Sequence, residues 1–291
     1  MKALTGSGVA LVTPFNENGT IDIQSLDRLI EYQISGGINY IVSLGTTGET
    51  ATLDNKEKQE IFKTIVEKVK GRVPLIAGIG GNNTKEIIDE FSSFDLDGYS
   101  AILSVNPYYN RPTQEGLFQH YKALAETSPL PLILYNVPAR TGSNIEAKTT
   151  IRLANTFENI IGIKEASGNF HQYSAIMRDK PESFSLISGD DALLLPMAAI
   201  GATGVISVLA NAFPAHVSRL AQMCNENNFS EARKIHNMLS KIIDLCFIEG
   251  NPAGIKAILK QLDICEETVR LPLTQVSDET RLNIIKELKN L

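Results

Sequence analysis

Ile160-Ile161-Gly162-Ile163-Lys164-Glu165-Ala166-Ser167 is one of the least polar stretches of the chain, and its apolar character is continuous rather than alternating. A strand with one wet face alternates apolar and polar residues, whereas a strand covered on both faces does not. The stretch therefore reads as a buried strand of a parallel sheet. Lys164 interrupts it. An ammonium is strongly hydrated and is almost never fully buried without a partner. Lys164 is then either paired with a carboxylate or held neutral for chemistry, since an uncharged ε-amine attacks a carbonyl and forms a Schiff base. Glu165 is the nearest carboxylate in sequence. Successive strand residues point to opposite faces, however, so the two are badly placed to pair.

Seven further runs of the same kind lie along the first 210 residues: Gly8–Phe15, Tyr40–Gly45, Pro74–Gly80, Gly98–Val105, Pro131–Val137, Phe184–Asp190 and Gly204–Ala210. Amphipathic stretches of helical period separate them, such as Ser25–Ile34 and Lys56–Val69. Strands alternating with helices predict a parallel sheet, and eight such units predict a closed (β/α)8 TIM barrel. A doubly wound open sheet would usually carry a Gly-rich dinucleotide turn. The nearest stretch, Gly78-Ile79-Gly80-Gly81-Asn82-Asn83, lacks the third glycine at the required spacing. After about residue 225 strand signals stop and three helices are predicted, Ser230–Phe247, Pro252–Leu262 and Ser277–Leu288. Pro252 is expected in a first helical turn and Ser277 at an N-cap. The domain reading is a barrel over 1–225 and a helical extension over 226–291.

The composition fits a globular protein: 291 residues, 43% hydrophobic and 21% charged. A net charge of −6 argues against nucleic acid or an anionic membrane surface as partner, although small acidic substrates feel only the local field. No apolar run approaches the roughly 18 residues needed to span a bilayer. The opening Met1-Lys2-Ala3-Leu4-Thr5-Gly6 has no apolar core of a secretion signal. Cys224, Cys246 and Cys265 are odd in number and lack CxxC spacing, so reduced thiols in a cytoplasmic protein are expected. His120, His171, His216 and His236 show no metal-ligand spacing.

In a βα barrel the site lies at the C-terminal ends of the strands. After the second run comes Gly45-Thr46-Thr47-Gly48-Glu49, a tight turn whose backbone N–H groups can cradle a carboxylate. The fourth is followed by Asn106-Pro107-Tyr108-Tyr109-Asn110-Arg111-Pro112, a stiff aromatic loop suited to packing, a subunit contact or a site. Tyr135 lies inside the fifth run as a candidate proton shuttle. Arg140 follows on the next loop, where its fork suits a carboxylate. Asp190-Asp191 suggests either a weak metal site or a helix cap. No Gly-rich phosphate cup follows the seventh and eighth runs, which disfavours a phosphosugar. One desolvated lysine, tyrosines, an anion nest and an arginine make the inventory of a metal-free class I aldolase acting on an oxo acid.

These motifs, together with Gly162–Gly168 and Ser188–Asp191, occur in an order that resembles the dihydrodipicolinate synthase family of pyruvate-dependent Schiff-base aldolases, over essentially the whole chain. The resemblance implies a lyase of diaminopimelate and lysine biosynthesis, condensing pyruvate with L-aspartate-4-semialdehyde. It implies that Lys164 forms an imine with pyruvate, and that Thr46, Tyr135 and Tyr109 relay protons, with Tyr109 supplied by a neighbouring subunit. Thr46 and Thr47 N–H groups would hold the pyruvate carboxylate and Arg140 that of the semialdehyde, while Gly189 and Ile206 would line the pocket. No metal and no organic cofactor are implied, and a homotetramer built as a dimer of dimers is. L-Lysine inhibits some relatives at a site matching Thr50, Ala51, Asn55, Lys58, Asn82, Glu86 and Tyr108. Asn55 and Lys58 stand where sensitive members commonly carry histidines, and an added cation opposes a cationic effector. Weak or partial inhibition is therefore expected. The rivals are an N-acetylneuraminate lyase-like aldolase using the same lysine, and a non-catalytic barrel acting as a sensor.

Overall fold

Seven of the eight apolar runs contain a strand, and the first overlaps one, in the computed structural model, which describes residues 4–291. The strands are β1 (Gly6–Ala10), β2 (Tyr40–Ser43), β3 (Leu75–Gly78), β4 (Ala101–Val105), β5 (Leu132–Asn136), β6 (Ile160–Glu165), β7 (Ser185–Ser188) and β8 (Gly204–Ser207). Each pairs in parallel with the next, and β8 returns to β1 to close the barrel. The helices between them are α1 (Ile23–Ser35), α2 (Asn55–Val69), α3 (Thr84–Ser93), α4 (Gln114–Thr127), α5 (Pro138–Thr141), α6 (Ala147–Thr156), α7 (Phe170–Asp179), α8 (Leu194–Ala199) and α9 (Pro214–Asn225). The TIM barrel is thus present with its outer helical ring. The reading of the N-terminus rests partly on Met1, Lys2 and Ala3, which lie outside the described residues.

Two apolar clusters hold the fold. A small one fills the barrel with Ala10, Tyr40, Val42, Ile76, Leu103, Ile133, Tyr135, Ile187 and Ile206 among others, so the interior is a packed core rather than a pore. A larger one lies between the strands and the helices and runs on without a break into the last three helices, through Leu239, Ile242, Ile255 and Ile284. The interior has no slack. A Cβ on Gly8 would stand 2.0 Å from the Tyr40 ring, so the glycine is what admits Tyr40 to the barrel. The Tyr40 hydroxyl donates to the Val205 carbonyl across the interior, and burial pushes its ionisation far above the usual range.

The first strand differs from its expected bounds, Gly8–Phe15: it begins at Gly6 and stops at Ala10. The Leu11 N–H still reaches the Val42 carbonyl, but the Val12 N–H bonds the Asn211 side chain, 3.0 Å away, and Pro14 has no N–H to offer. A side chain from the turn after β8, distant in sequence but next to β1 in the barrel, thus replaces the sheet neighbour.

Three helices close the chain: α10 (Phe229–Phe247), α11 (Ala253–Gln261) and α12 (Asp278–Leu288). Ser277 caps α12 by accepting from the Thr280 N–H, as expected. Pro252 occupies the N-cap of α11 rather than its first turn. Among the described residues no helix is long and apolar enough to cross a membrane.

Candidate active site at the barrel mouth

Lys164 projects into the barrel from β6, directly across from Tyr135 on β5. It is 5% exposed, and its Nζ lies 4.2 Å from the centre of the Tyr135 ring. Glu165 turns to the opposite face, as strand geometry requires. Its carboxylate accepts from Asn136 and Gln172, each at 2.6 Å, and from the Ser167 N–H. Burial pushes the Glu165 carboxyl above the usual carboxylate range, against those hydrogen bonds. The Lys164–Glu165 pair is therefore not made. Among the described residues, the ion pair with both side chains fully buried is a different one, Lys256 with Glu49.

Space around the amine is set by Gly189, at the end of β7. A Cβ there would meet the Lys164 Cε at 3.1 Å, the Glu165 carbonyl oxygen at 3.1 Å and the Ala166 Cβ at 2.9 Å. Lys164, Tyr135, Gly189, Thr46, Thr47 and Arg140 all line one cavity of about 500 Å³ at the C-terminal end of the strands. That volume suits a small ligand. Ile206 instead packs in the barrel interior with Tyr135 and Ile187, and from the end of its strand Val208 forms the cavity wall.

Thr46, Thr47 and Gly48 form one turn of 3-10 helix after β2. The opening of such a turn leaves its first N–H groups without partners in the turn, and Gly45 has no side chain to cap them. The Thr46 and Thr47 N–H groups are thus disposed as an anion nest. The turn is tied down from outside. The Thr13 hydroxyl donates to the Gly48 carbonyl at 2.7 Å, and Asn251 donates to the Thr47 hydroxyl oxygen at 2.9 Å.

Arg140 sits in α5, a single turn begun by Pro138. Its guanidinium donates to the Asn251 carbonyl at 3.4 Å and is otherwise exposed at the cavity lip. Asn251, in the loop from α10 to α11, therefore touches both the nest and the arginine, and it lines the cavity with Ile243, Asp244, Phe247 and Ile248. The sequence reading missed this contribution of the tail. Gly250-Asn251-Pro252 looks like an ordinary turn, and only the fold brings it over the barrel.

The aspartates after β7 serve the backbone. Asp190 accepts from the Ala192 N–H, and buried Asp191 accepts from the Val208 and Leu209 N–H groups and the Ser207 hydroxyl. Of the two readings of this pair, capping is the one realised. Among the described residues no three His, Cys, Asp or Glu side chains converge as metal ligands.

Tyr109 does not line the cavity of its own chain. It stands 89% exposed on the loop after β4, with φ of 71°. Of the residues matched to an effector site, Thr50 and Lys58 share a smaller cavity with Thr46 and Tyr135, where Lys58 pairs with Glu90 at 3.2 Å. Asn82 donates to the Tyr108 carbonyl, so those two are brought together. Ala51, Asn55 and Glu86 are exposed.

Residues 3–291 match the dihydrodipicolinate synthetase family. The chain is 50% identical to a 4-hydroxy-tetrahydrodipicolinate synthase of Porphyromonas gingivalis over 99% of its own length and 97% of that protein's. Its structure is similar to that of dihydrodipicolinate synthase from Aquifex aeolicus, with a TM-score of 0.95, 42% identity and 98% and 97% of the two chains covered. It is also similar to the chloride-inhibited dihydrodipicolinate synthase of Acinetobacter baumannii complexed with pyruvate, with a TM-score of 0.96, 39% identity and 99% of each chain covered.

Proposed function

The chain belongs to the dihydrodipicolinate synthetase family, and from that premise we propose how its own residues carry the reaction. The reaction condenses pyruvate with L-aspartate-4-semialdehyde to 4-hydroxy-tetrahydrodipicolinate, the first step of the diaminopimelate route to lysine. One observation carries the mechanism: a lysine buried in a closed barrel, without a carboxylate partner among the described residues, opens on a cavity that also holds an anion nest and an arginine.

The Lys164 amine attacks the pyruvate ketone, water leaves and an imine forms. Thr46 and Thr47 N–H groups hold the pyruvate carboxylate. Loss of a methyl proton gives the enamine, whose carbon attacks the aldehyde. Tyr135 and Thr46 pass the protons, since both line the cavity beside the amine. Arg140 receives the semialdehyde carboxylate at the lip, its fork suited to two parallel hydrogen bonds. The substrate's own amine then displaces Lys164 and closes the ring. The covalent imine is the electron sink, so the scheme calls on no metal or organic cofactor.

Tyr109 completes the relay from a second copy of the chain in a homotetramer built as a dimer of dimers. Its exposure and outward loop support that reading. Lys58 at that cavity supports weak inhibition by L-lysine, because a cation already stands there, its charge only offset in part by Glu90.

Borohydride reduction in the presence of pyruvate, followed by mass spectrometry, tests nucleophile and substrate together. The expected result is one pyruvyl adduct on Lys164. Lys164→Ala should give none, with a Tm equal to or above that of the unmodified protein, because a buried amine is removed. Unfolding of Lys164→Ala would support a structural lysine, and turnover of sialic acid in place of the semialdehyde would transfer the activity to the lyase-like reading.

A further inference from the structure

Glu49 and Lys256 form a fully buried ion pair, 2.5 Å apart, that no step of the reaction uses. We propose that this pair is a positioning device for the turn at Thr46–Thr47, and that it sets the affinity of the site for the keto acid without setting that for the aldehyde. The inference rests on the reading of that turn as the pyruvate-carboxylate nest.

Glu49 is the residue that closes the turn. Its N–H bonds the Thr46 carbonyl at 3.1 Å, and its backbone is left-handed, with φ of 54° and ψ of 34°. For a residue with a Cβ that conformation carries a modest cost, which its contacts must offset. The support comes through its side chain. Lys256 holds one carboxylate oxygen, and the Arg270 N–H holds the other at 2.9 Å. Both partners are fixed in turn. Lys256 also donates to the Thr268 carbonyl at 2.8 Å and lies 4.2 Å from the centre of the Phe15 ring. Arg270 covers the same ring and donates to the Gly19 and Thr52 carbonyls and the Glu57 carboxylate.

Three consecutive residues, Thr47, Gly48 and Glu49, are thereby tied to three distant points: Asn251, Thr13 and Lys256. What remains free in this stretch is the pair of N–H groups at Thr46 and Thr47. Stability is a poor account of the ion pair. Burying two charges carries a desolvation penalty, and well-packed apolar replacements of such pairs are often neutral or stabilising. Direction is the better account, because an N–H group a few tenths of an ångström or a few degrees out of line forms a weaker hydrogen bond. Arg140 stands on a different element, after β5, and meets the turn only through Asn251, whose carbonyl it reaches at 3.4 Å, so the aldehyde's carboxylate depends on this strut far less than the keto acid's does.

The test uses Glu49→Gln, Lys256→Met and the double variant, in the full-length protein. Pyruvate affinity is read as the concentration giving half-maximal borohydride-trapped adduct, beside KM for each substrate and Tm. Glu49→Gln keeps the side chain's size and an acceptor for the Arg270 N–H. It should raise half-saturation for pyruvate about tenfold, with KM for the semialdehyde changed less than twofold. The double variant, which removes both charges, should recover the Tm lost by Lys256→Met and not recover pyruvate affinity. Recovery of both together would overturn the inference and leave the pair a strut for stability alone. A parallel rise in both KM values would overturn it too. Should the double variant fail to fold, Glu49→Gln decides by the same split. An unmodified protein that traps no pyruvate would instead overturn the proposed function.

Discussion

A single methyl group on Gly189 would stand within 3.1 Å of the Lys164 side chain and within 2.9 Å of Ala166. The Lys164 Cε can swing towards the cavity, but the Ala166 Cβ and the Glu165 carbonyl oxygen, 3.1 Å away, withdraw only if backbone moves. Gly189→Ala should therefore destabilise the protein by about 1–3 kcal/mol, as overpacking does. It should also slow adduct formation by more than the stability loss explains, because the displaced atom is next to the nucleophile. Thermal melts and single-turnover trapping measure the two effects separately. At this scale the sequence was informative wherever a polar residue broke an apolar strand. Lys164 and Tyr135 were visible for that reason, and the structure places them side by side. Asn251 was not visible, because a polar residue in a Gly–Pro turn is unremarkable until the tail is folded over the mouth. Lys256 was hidden in a similar way. It looks like one solvated position of an amphipathic helix, yet it is wholly buried.

His120 shows how an element carries a titration. It lies on α4 against Tyr121, and its Nδ1 meets the Thr84 hydroxyl at the start of α3, 2.8 Å away. Its Nε2 is buried without a partner, and burial lowers its pKa from 6.5 to about 4. The unfolded chain thus takes up this proton first as the pH falls. Stability is complete above about 6.5, declines between 6.5 and about 4, and loses roughly 3 kcal/mol over that window from this group. Denaturant melts of His120→Gln should show a shallower decline over the same window than the unmodified protein. The reading of elements from sequence succeeded for the strands because both of their faces are covered, which leaves an unbroken apolar signature. It failed at the end of β1, where the partner is the Asn211 side chain, 199 residues away in the chain. Local pattern contains no trace of so distant a contact.

On the scale of the whole molecule, Tyr109 makes a prediction about pairs of chains. Lys164→Ala removes the proposed nucleophile, and Tyr109→Phe should lower kcat about 10²- to 10⁴-fold, the range of a lost proton-transfer group. If the tyrosine serves its neighbour, a mixed dimer of the two variants holds one site with both groups intact. Refolding the two inactive proteins together should then restore about a quarter of the sites in a random mixture, measurable as regained activity. Two sites complete within their own chains would regain none. Assembly was legible only as an implication of family resemblance, because no strand or helix pattern in one chain specifies what a second copy will cover.

The packed barrel interior has a kinetic consequence. With Tyr40, Ile133 and Ile187 packed in the barrel interior, the cavity over Lys164 is stoppered on the barrel side. Guests must queue. In the proposed scheme the molecule that bonds to the amine takes the inner berth, and the second lodges nearer the threshold at Arg140. An aldehyde arriving early bars the way, so excess semialdehyde should inhibit competitively with pyruvate. Initial rates at varied concentrations of both substrates should give parallel double-reciprocal lines at low semialdehyde, and lines crossing to the left of the rate axis there would contradict imine formation before the aldehyde enters.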